Sequence, residues 1–210
     1  MKNNIEVEHR GVLTKKKFDE LKLFLKKKGK FIKEKDRFSV IYFPPGKETF
    51  KVANISKSPI DLRVRITNKK TEMVLKYGIS SGSDARKEFF FPVDSNKFEE
   101  AIEFLFILGF YYGVLQATKS YLYKYKGVEI VLVDVPKFGY YFEAEILTET
   151  KSIKAANSKI ISACKELGLD ILSDKDFWKL LQSLNDRPGM RFNFKKQKFL
   201  DIKKRFKNYF

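Results

Sequence analysis

A chain of 210 residues with an apolar fraction of 43% can bury a real core and is too apolar to be disordered. Its formal net charge of +17 suits polyanionic partners, nucleic acid and phosphorylated small molecules among them, without choosing between them. A single cysteine, Cys164, excludes an internal disulfide and fits a reducing cytoplasm, and a single histidine, His9, excludes imidazole-rich zinc sites.

In chain order, residues 5–10 read as a strand, Ile5-Glu6-Val7-Glu8-His9-Arg10. Thr14 then caps a lysine-rich helix with Phe18, Leu21, Phe24 and Leu25 on its apolar stripe, stopped by Gly29. Residues 38–43 form a strand that ends at Pro44-Pro45-Gly46, and 47–59 form a polar connection. Residues 62–67 and 72–77 read as a hairpin turning at Asn68-Lys69-Lys70. A loop over 78–84 leads to a strand at 86–93 and a helix at 96–108 stopped by Gly109. Strands at 118–125, 128–134 and 140–147 follow, with turns at Lys126-Gly127 and 136–139. A helix over 152–167, with Cys164 in its core, stops at Gly168. Ser173 and Asp176 open a further helix as a capping box, with Trp178 as its anchor.

These elements predict an α+β fold: an eight-stranded antiparallel β-barrel with a polar interior, helices outside and a C-terminal helical extension. The expected division is a main domain at 1–172 and a basic extension at 173–210, packed on the barrel or trailing from it. The segment from Arg187 to Phe210 holds six Lys, three Arg and one Asp, so eight of the seventeen net charges lie there. Its interleaved Phe192, Phe194, Phe199, Phe206, Tyr209 and Phe210 fit either an amphipathic helix packed on the fold or weak stacking on single-stranded nucleic acid. The longest apolar run, 104–115, is too short to span a bilayer, so no membrane partner is expected. A monomer or homodimer is expected.

Strand periodicity brings the charges together. Glu6, Glu8 and Arg10 share a face, as do Glu143 and Glu145, and Arg63 and Arg65. Lys76, Arg86 and Glu88 lie opposite apolar neighbours, and Lys119 and Asp134 stand on the two strands between. In an ordinary half-buried sheet such rows face water. Here the rows are Arg and Glu, whereas solvent rows elsewhere in the chain are Lys, and the helices carry apolar stripes that must cover the other face. Helices on the apolar face leave the charged face enclosed. Its six acids (Glu6, Glu8, Glu88, Asp134, Glu143, Glu145) balance its six bases (Arg10, Arg63, Arg65, Lys76, Arg86, Lys119). A hard divalent cation suits the former and phosphate oxygens the latter.

This ordered set resembles the CYTH superfamily, the triphosphate tunnel metalloenzymes, over about residues 5–184. The resemblance implies a divalent-metal-dependent triphosphatase, acting on tripolyphosphate, a nucleoside triphosphate or thiamine triphosphate, or a class IV adenylyl cyclase. It implies Mg²⁺ or Mn²⁺ on Glu6, Glu8, Asp134, Glu143 and Glu145. The phosphates would fall to Arg63, Arg65, Lys76, Arg86 and Lys119, and catalysis to Glu8, Arg10 and Glu145. The family's N-terminal motif ends in Lys where this chain has Arg10, which cannot accept a proton. A polyphosphate- or RNA-binding protein with little turnover is the alternative outside enzymology.

Overall fold

The structure, a computed structural model, describes residues 5–46, 60–78, 84–149 and 152–210, with backbone alone at 84–86. The expected connection at 47–59 lies outside these residues, as does most of the loop at 78–84.

The strands are β1 (Ile5–Leu13), β2 (Lys30–Tyr42), β3 (Ile60–Thr67), β4 (Lys70–Tyr77), β5 (Asp84–Val93), β6 (Tyr112–Tyr125), β7 (Val128–Val135), β8 (Gly139–Thr148) and β9 (Arg191–Asn193). The helices are α1 (Lys15–Lys28), α2 (Phe98–Ile107), α3 (Ile153–Glu166), α4 (Asp174–Asn185) and α5 (Phe199–Arg205). Hydrogen-bonded neighbours run β2-β3-β4-β5-β1-β8-β7-β6-β9, and β2 also pairs with β6. Among the described residues, each of β1–β8 therefore has a hydrogen-bonded neighbour on both sides. The expected eight antiparallel strands are present.

Two hairpins have turns that fix their register. Asn68 and Lys69 both take positive φ between β3 and β4, and Lys126 and Gly127 do so between β7 and its partner β6. Positive φ at both central positions matches the right-handed twist of the flanking strands. Three features differ from the sequence reading. β2 starts at Lys30 rather than 38, because its charged first half is held by pairing with β6 and not by its own alternation. β6 starts at Tyr112 rather than 118. The unexpected β9 adds to it, with Gly113 opposite Phe192.

The chain divides into two units: Met1–Lys35 with Ser80–Lys87 and Thr118–Leu180, and Asp36–Ile79 with Glu88–Ala117 and Leu181–Phe210. In the first, α1 and α3 cover the apolar face of β1, β8 and β7. Phe18, Leu21 and Leu25 of α1 and Ala156, Ile160 and Cys164 of α3 pack with Val7, Ile130, Leu132, Phe142 and Ala144. The Thr14 hydroxyl accepts from the Lys17 N–H at 3.1 Å, the expected cap. Phe24 falls off the stripe and is 41% exposed. His9 lies on the helix-covered face, its Nε2 2.5 Å from Asn157 Oδ1 on α3. The Ser173 hydroxyl accepts from the Asp176 N–H at 3.2 Å, as the capping box requires. Phe177, not Trp178, is the buried residue of the aromatic pair on α4.

In the second unit, Phe38, Val40 and Tyr42 of β2 and Val64 and Ile66 of β3 pack on Phe98, Ile102 and Leu105 of α2. Phe192 and Ile202 are buried in the same core, and Phe194, Phe199, Phe206, Tyr209 and Phe210 pack against it. The aromatic rings of the basic C-terminal segment are therefore core material, with Phe206 centred 4.6 Å from Phe38. No helix among the described residues is long and apolar enough to cross a membrane.

Candidate functional site

Each unit carries one charged sheet face, opposite its helices. In the first unit that face is set by the pairing of β1 with β8. Glu8 stands directly opposite Glu145, and Arg10 opposite Glu143. Glu6 stands opposite Arg86 of β5. The same parity that sends Val7, Phe142 and Ala144 into the helix-covered core sends these carboxylates to the other side. One carboxylate oxygen from each of Glu6, Glu8 and Glu145 lies within 4.8 Å of the others. Glu8 is only 2% exposed although it faces away from the helices.

Arg10 places a cation in this cluster. Its guanidinium donates to Glu8 Oε2 at 2.5 Å and reaches Glu143 Oε1 at 3.4 Å, with the Phe177 ring centred 4.8 Å from Cζ. Burial first, then the charges of Glu8, Glu6 and Glu143 and a hydrogen bond with Glu6, push the Glu145 carboxyl far above the usual carboxylate range. Three close carboxylate oxygens that repel one another are a fitting donor set for a hard divalent cation.

Lys119 and Asp134 do not join this face. They stand opposite each other in the β6–β7 register, and Asp134 also stands opposite Tyr140, on the side of Phe142 and Ala144. Lys119 pairs with Glu34 at 2.7 Å. Asp134 acts electrostatically on Lys15 of α1. Tyr121 and Tyr125, which share the parity of Lys119, pack edge-on to Phe18 and Phe24 of α1. The residues that do share the face of Glu145 are Glu129, directly opposite it, and Lys124, opposite Glu129. The sequence reading missed both. Val128, Ile130 and Val131, Val133 make β7 apolar on both faces, so its alternation carries no sign and only register assigns it.

The charged face of the second unit lies on β3, β4 and β5. Arg63 and Arg65 share it, opposite Leu62, Val64 and Ile66 as expected. Lys76 stands across from Asp61 and forms an ion pair with Glu88. Arg65 is 8% and Lys76 9% exposed. Asp61 and Glu72, not singled out in the sequence, also belong here: Asp61 accepts two bonds from Arg63, and Glu72 accepts from Arg65 at 2.7 Å. Arg86 is placed by backbone alone, opposite Glu6.

No protein-family model and no curated protein sequence matches the chain. Solved structures do. A Pyrococcus horikoshii protein superposes with a TM-score of 0.68 at 24% identity, covering 85% of this chain and 98% of its own. A candidate adenylate cyclase from Vibrio parahaemolyticus gives 0.60 at 14% identity, covering 83% and 92%. A Hippeastrum protein, a candidate adenylyl cyclase described as having a dominant triphosphatase activity, gives 0.55 at 16% identity, covering 84% and 95%. At these identities the likeness is one of fold. The chain shares the fold of these proteins, an outcome consistent with the fold that the resemblance of its motifs implies.

Proposed function

We propose that the chain is a divalent-metal-dependent enzyme that hydrolyses a triphosphate: inorganic tripolyphosphate, a nucleoside triphosphate or thiamine triphosphate. The observation that carries this reading is the cluster of Glu6, Glu8 and Glu145 on one sheet face, with Glu8 buried. The fold, shared with a protein described as a triphosphatase, supports it.

In this reading Glu6, Glu8 and Glu145, with Glu143 beside them, hold Mg²⁺ or Mn²⁺. When bound, such a cation neutralises phosphate charge and acts as a Lewis acid. The resemblance to the CYTH superfamily assigns phosphate oxygens to basic residues, and on the charged face of the second unit Arg63, Arg65 and Lys76 would take that role. Water is the nucleophile, oriented by Glu8 or Glu145. Arg10 stays protonated at any working pH, so it holds Glu8 and Glu143 in place and takes no proton. Lys119 and Asp134 have no part in this reading, since both lie on the helix-covered face.

A second reading keeps the site and makes the ribose 3′-hydroxyl of ATP the nucleophile, giving cyclic AMP and pyrophosphate. The Vibrio neighbour's description favours it. Incubation with Mg²⁺ and either ATP or tripolyphosphate, followed by product separation, decides. Phosphate release that stops with EDTA supports hydrolysis, and cyclic AMP supports the second reading. Tight binding of tripolyphosphate with no metal-dependent turnover of any triphosphate overturns both in favour of a binding protein.

A further inference from the structure

In the first unit, α1 and the first residues of β2 share an apolar tip ringed by lysine. Phe24 of α1 and Phe31 of β2 pack edge-on to Tyr125 and Tyr123 of β6, with ring centroids 5.9 and 5.4 Å apart. Those tyrosines are two residues apart on one strand, so they share a face and set the two phenylalanines side by side. The contact does not bury them: Phe24 is 41% and Phe31 51% exposed, with Leu23 at 62% and Ile32 at 41% next to them in the chain. Lys30 to Glu34 are all exposed, although alternate side chains of a strand point to opposite faces. This end of β2 is therefore uncovered on both faces. Residues 22–35 hold seven Lys and one Glu, six of the seventeen net charges. Glu34 is already paired with Lys119. Lys26, Lys27, Lys28, Lys30 and Lys33 are exposed, and among the described residues none of the five makes an ion pair.

We propose that this tip is a peripheral membrane anchor that seats the protein on anionic phospholipid. Leu23, Phe24, Phe31 and Ile32 enter the boundary between headgroups and acyl chains, and the lysines around them meet the negative headgroups. Lysine suits that position, because its alkyl stem lies along apolar surface while the ammonium reaches the headgroup layer. A merely solvated basic face has no need of four exposed apolar side chains at its centre. Two of the four are aliphatic and have no ring to stack on a base, and every base here is Lys, without the planar fork of Arg. Both points favour lipid over RNA. A tip uncovered on both faces suits a deformable interface better than a rigid protein groove. The other exposed apolar run, Phe104, Ile107 and Leu108 on and just beyond α2, follows Glu99, Glu100 and Glu103, which the same anionic surface would repel. The expectation of no membrane partner rested on the lack of a spanning segment, and contact with the headgroup layer needs none. Glu6, Glu8 and Glu145 lie on the sheet face away from α1, so lipid contact through α1 does not cover them.

The test is flotation of the full chain with vesicles of phosphatidylcholine alone, or of phosphatidylcholine mixed with phosphatidylserine. The parent should float with the mixed vesicles and not with phosphatidylcholine alone, and high salt should weaken the association. A lysine near such a surface is worth about fivefold in partitioning, so Lys26→Gln, Lys27→Gln and Lys28→Gln together should weaken binding about a hundredfold. Lys195→Gln, Lys196→Gln and Lys198→Gln together remove the same charge from exposed positions of the second unit and should weaken it far less. Leu23→Ser with Phe31→Ser keeps every charge and should still cost at least about tenfold, because the inserted apolar area is lost. Equal losses in the two lysine triples, or undiminished binding by Leu23→Ser with Phe31→Ser, would reduce the attraction to net charge and overturn the anchor. A parent that does not float with the mixed vesicles overturns it as well, and single-stranded RNA held through Lys26, Lys27 and Lys28 by such a protein would assign the surface to nucleic acid instead. Thermal unfolding checks that each variant folds, and Leu23→Ser alone, at a position 62% exposed, serves if the double variant does not.

Discussion

Arg10 donates to Glu8 at 2.5 Å from two positions along the same strand, and the Glu8 carboxylate is 2% exposed. The pair is buried, and its meaning lies in what happens when one half is removed. Arg10→Met leaves Glu8 charged, enclosed and surrounded by Glu6, Glu143 and Glu145. Breaking a buried pair this way costs about 3–5 kcal/mol. Chemical denaturation should show a loss of that size, and a markedly smaller one for Arg10→Lys, which keeps the charge.

The carboxylate cluster also sets a pH dependence. Glu145 has an ordinary value near 4.5 and is pushed far upward by burial and by Glu8, Glu6 and Glu143. The folded protein therefore binds this proton more tightly than the unfolded chain. The stability it confers is fully present below pH 4.5 and is lost as pH rises toward the folded value. Metal-free protein should show a melting temperature that falls between pH 5 and pH 9, and Glu145→Gln should flatten that fall. Adding Mg²⁺ or Mn²⁺ should flatten it as well, since a cation favours the ionised form. A melting temperature that rises over this window in metal-free protein would contradict the placement of Glu145.

Metal binding and turnover should fall together at Glu6, Glu8 and Glu145. Glu8→Gln or Glu145→Gln removes one of three hard ligands. A thermal-shift titration with Mn²⁺ should lose most of its response, and triphosphate hydrolysis should drop at least about a hundredfold, within the range seen for loss of one electrostatic stabiliser. Chelation of the parent protein should reproduce the same loss reversibly.

Lys119 and Asp134 provide the opposite expectation. The family resemblance gives them phosphate and metal, whereas the register puts both on the helix-covered face. Lys119→Ala and Asp134→Ala should leave the rate of hydrolysis within about twofold of the parent, the scale of a surface change far from the chemistry. Glu129→Gln, opposite Glu145, should lower it more than either. Steady-state kinetics on the three variants separates the two placements.

Gly11 tests the packing behind the site. A Cβ there would sit 2.1 Å from the Asp170 carbonyl oxygen and 2.3 Å from Phe142 Cε1. The backbone oxygen cannot move away without shifting the segment whose Leu172 N–H donates to the Arg10 carbonyl at 2.8 Å. Gly11→Ala should cost about 1–3 kcal/mol in denaturation, as overpacking does.

Much of this protein is legible along the chain because two-residue alternation is a local property. In β1, β3 and β8 one parity is apolar and the other charged, so Glu6, Glu8, Arg63, Arg65, Glu143 and Glu145 could be assigned to a face with no knowledge of their neighbours. Helix caps at Thr14 and Ser173 and the turn at Lys126-Gly127 are equally local. Alternation fails where both parities carry the same character. β7 is apolar on both sides, and β6 mixes Lys and Tyr on one with Ser and Leu on the other. Asp134 and Lys119 thus looked like site residues, and Glu129 and Lys124 did not. Only hydrogen-bonded register, set by which strand lies beside which, decides those positions. Register likewise brought Glu72 beside Arg65 and Asp61 beside Lys76. A charge in the sequence declares its sign, but its partner, and so whether it is free to meet a ligand, depends on the strand that folds next to it.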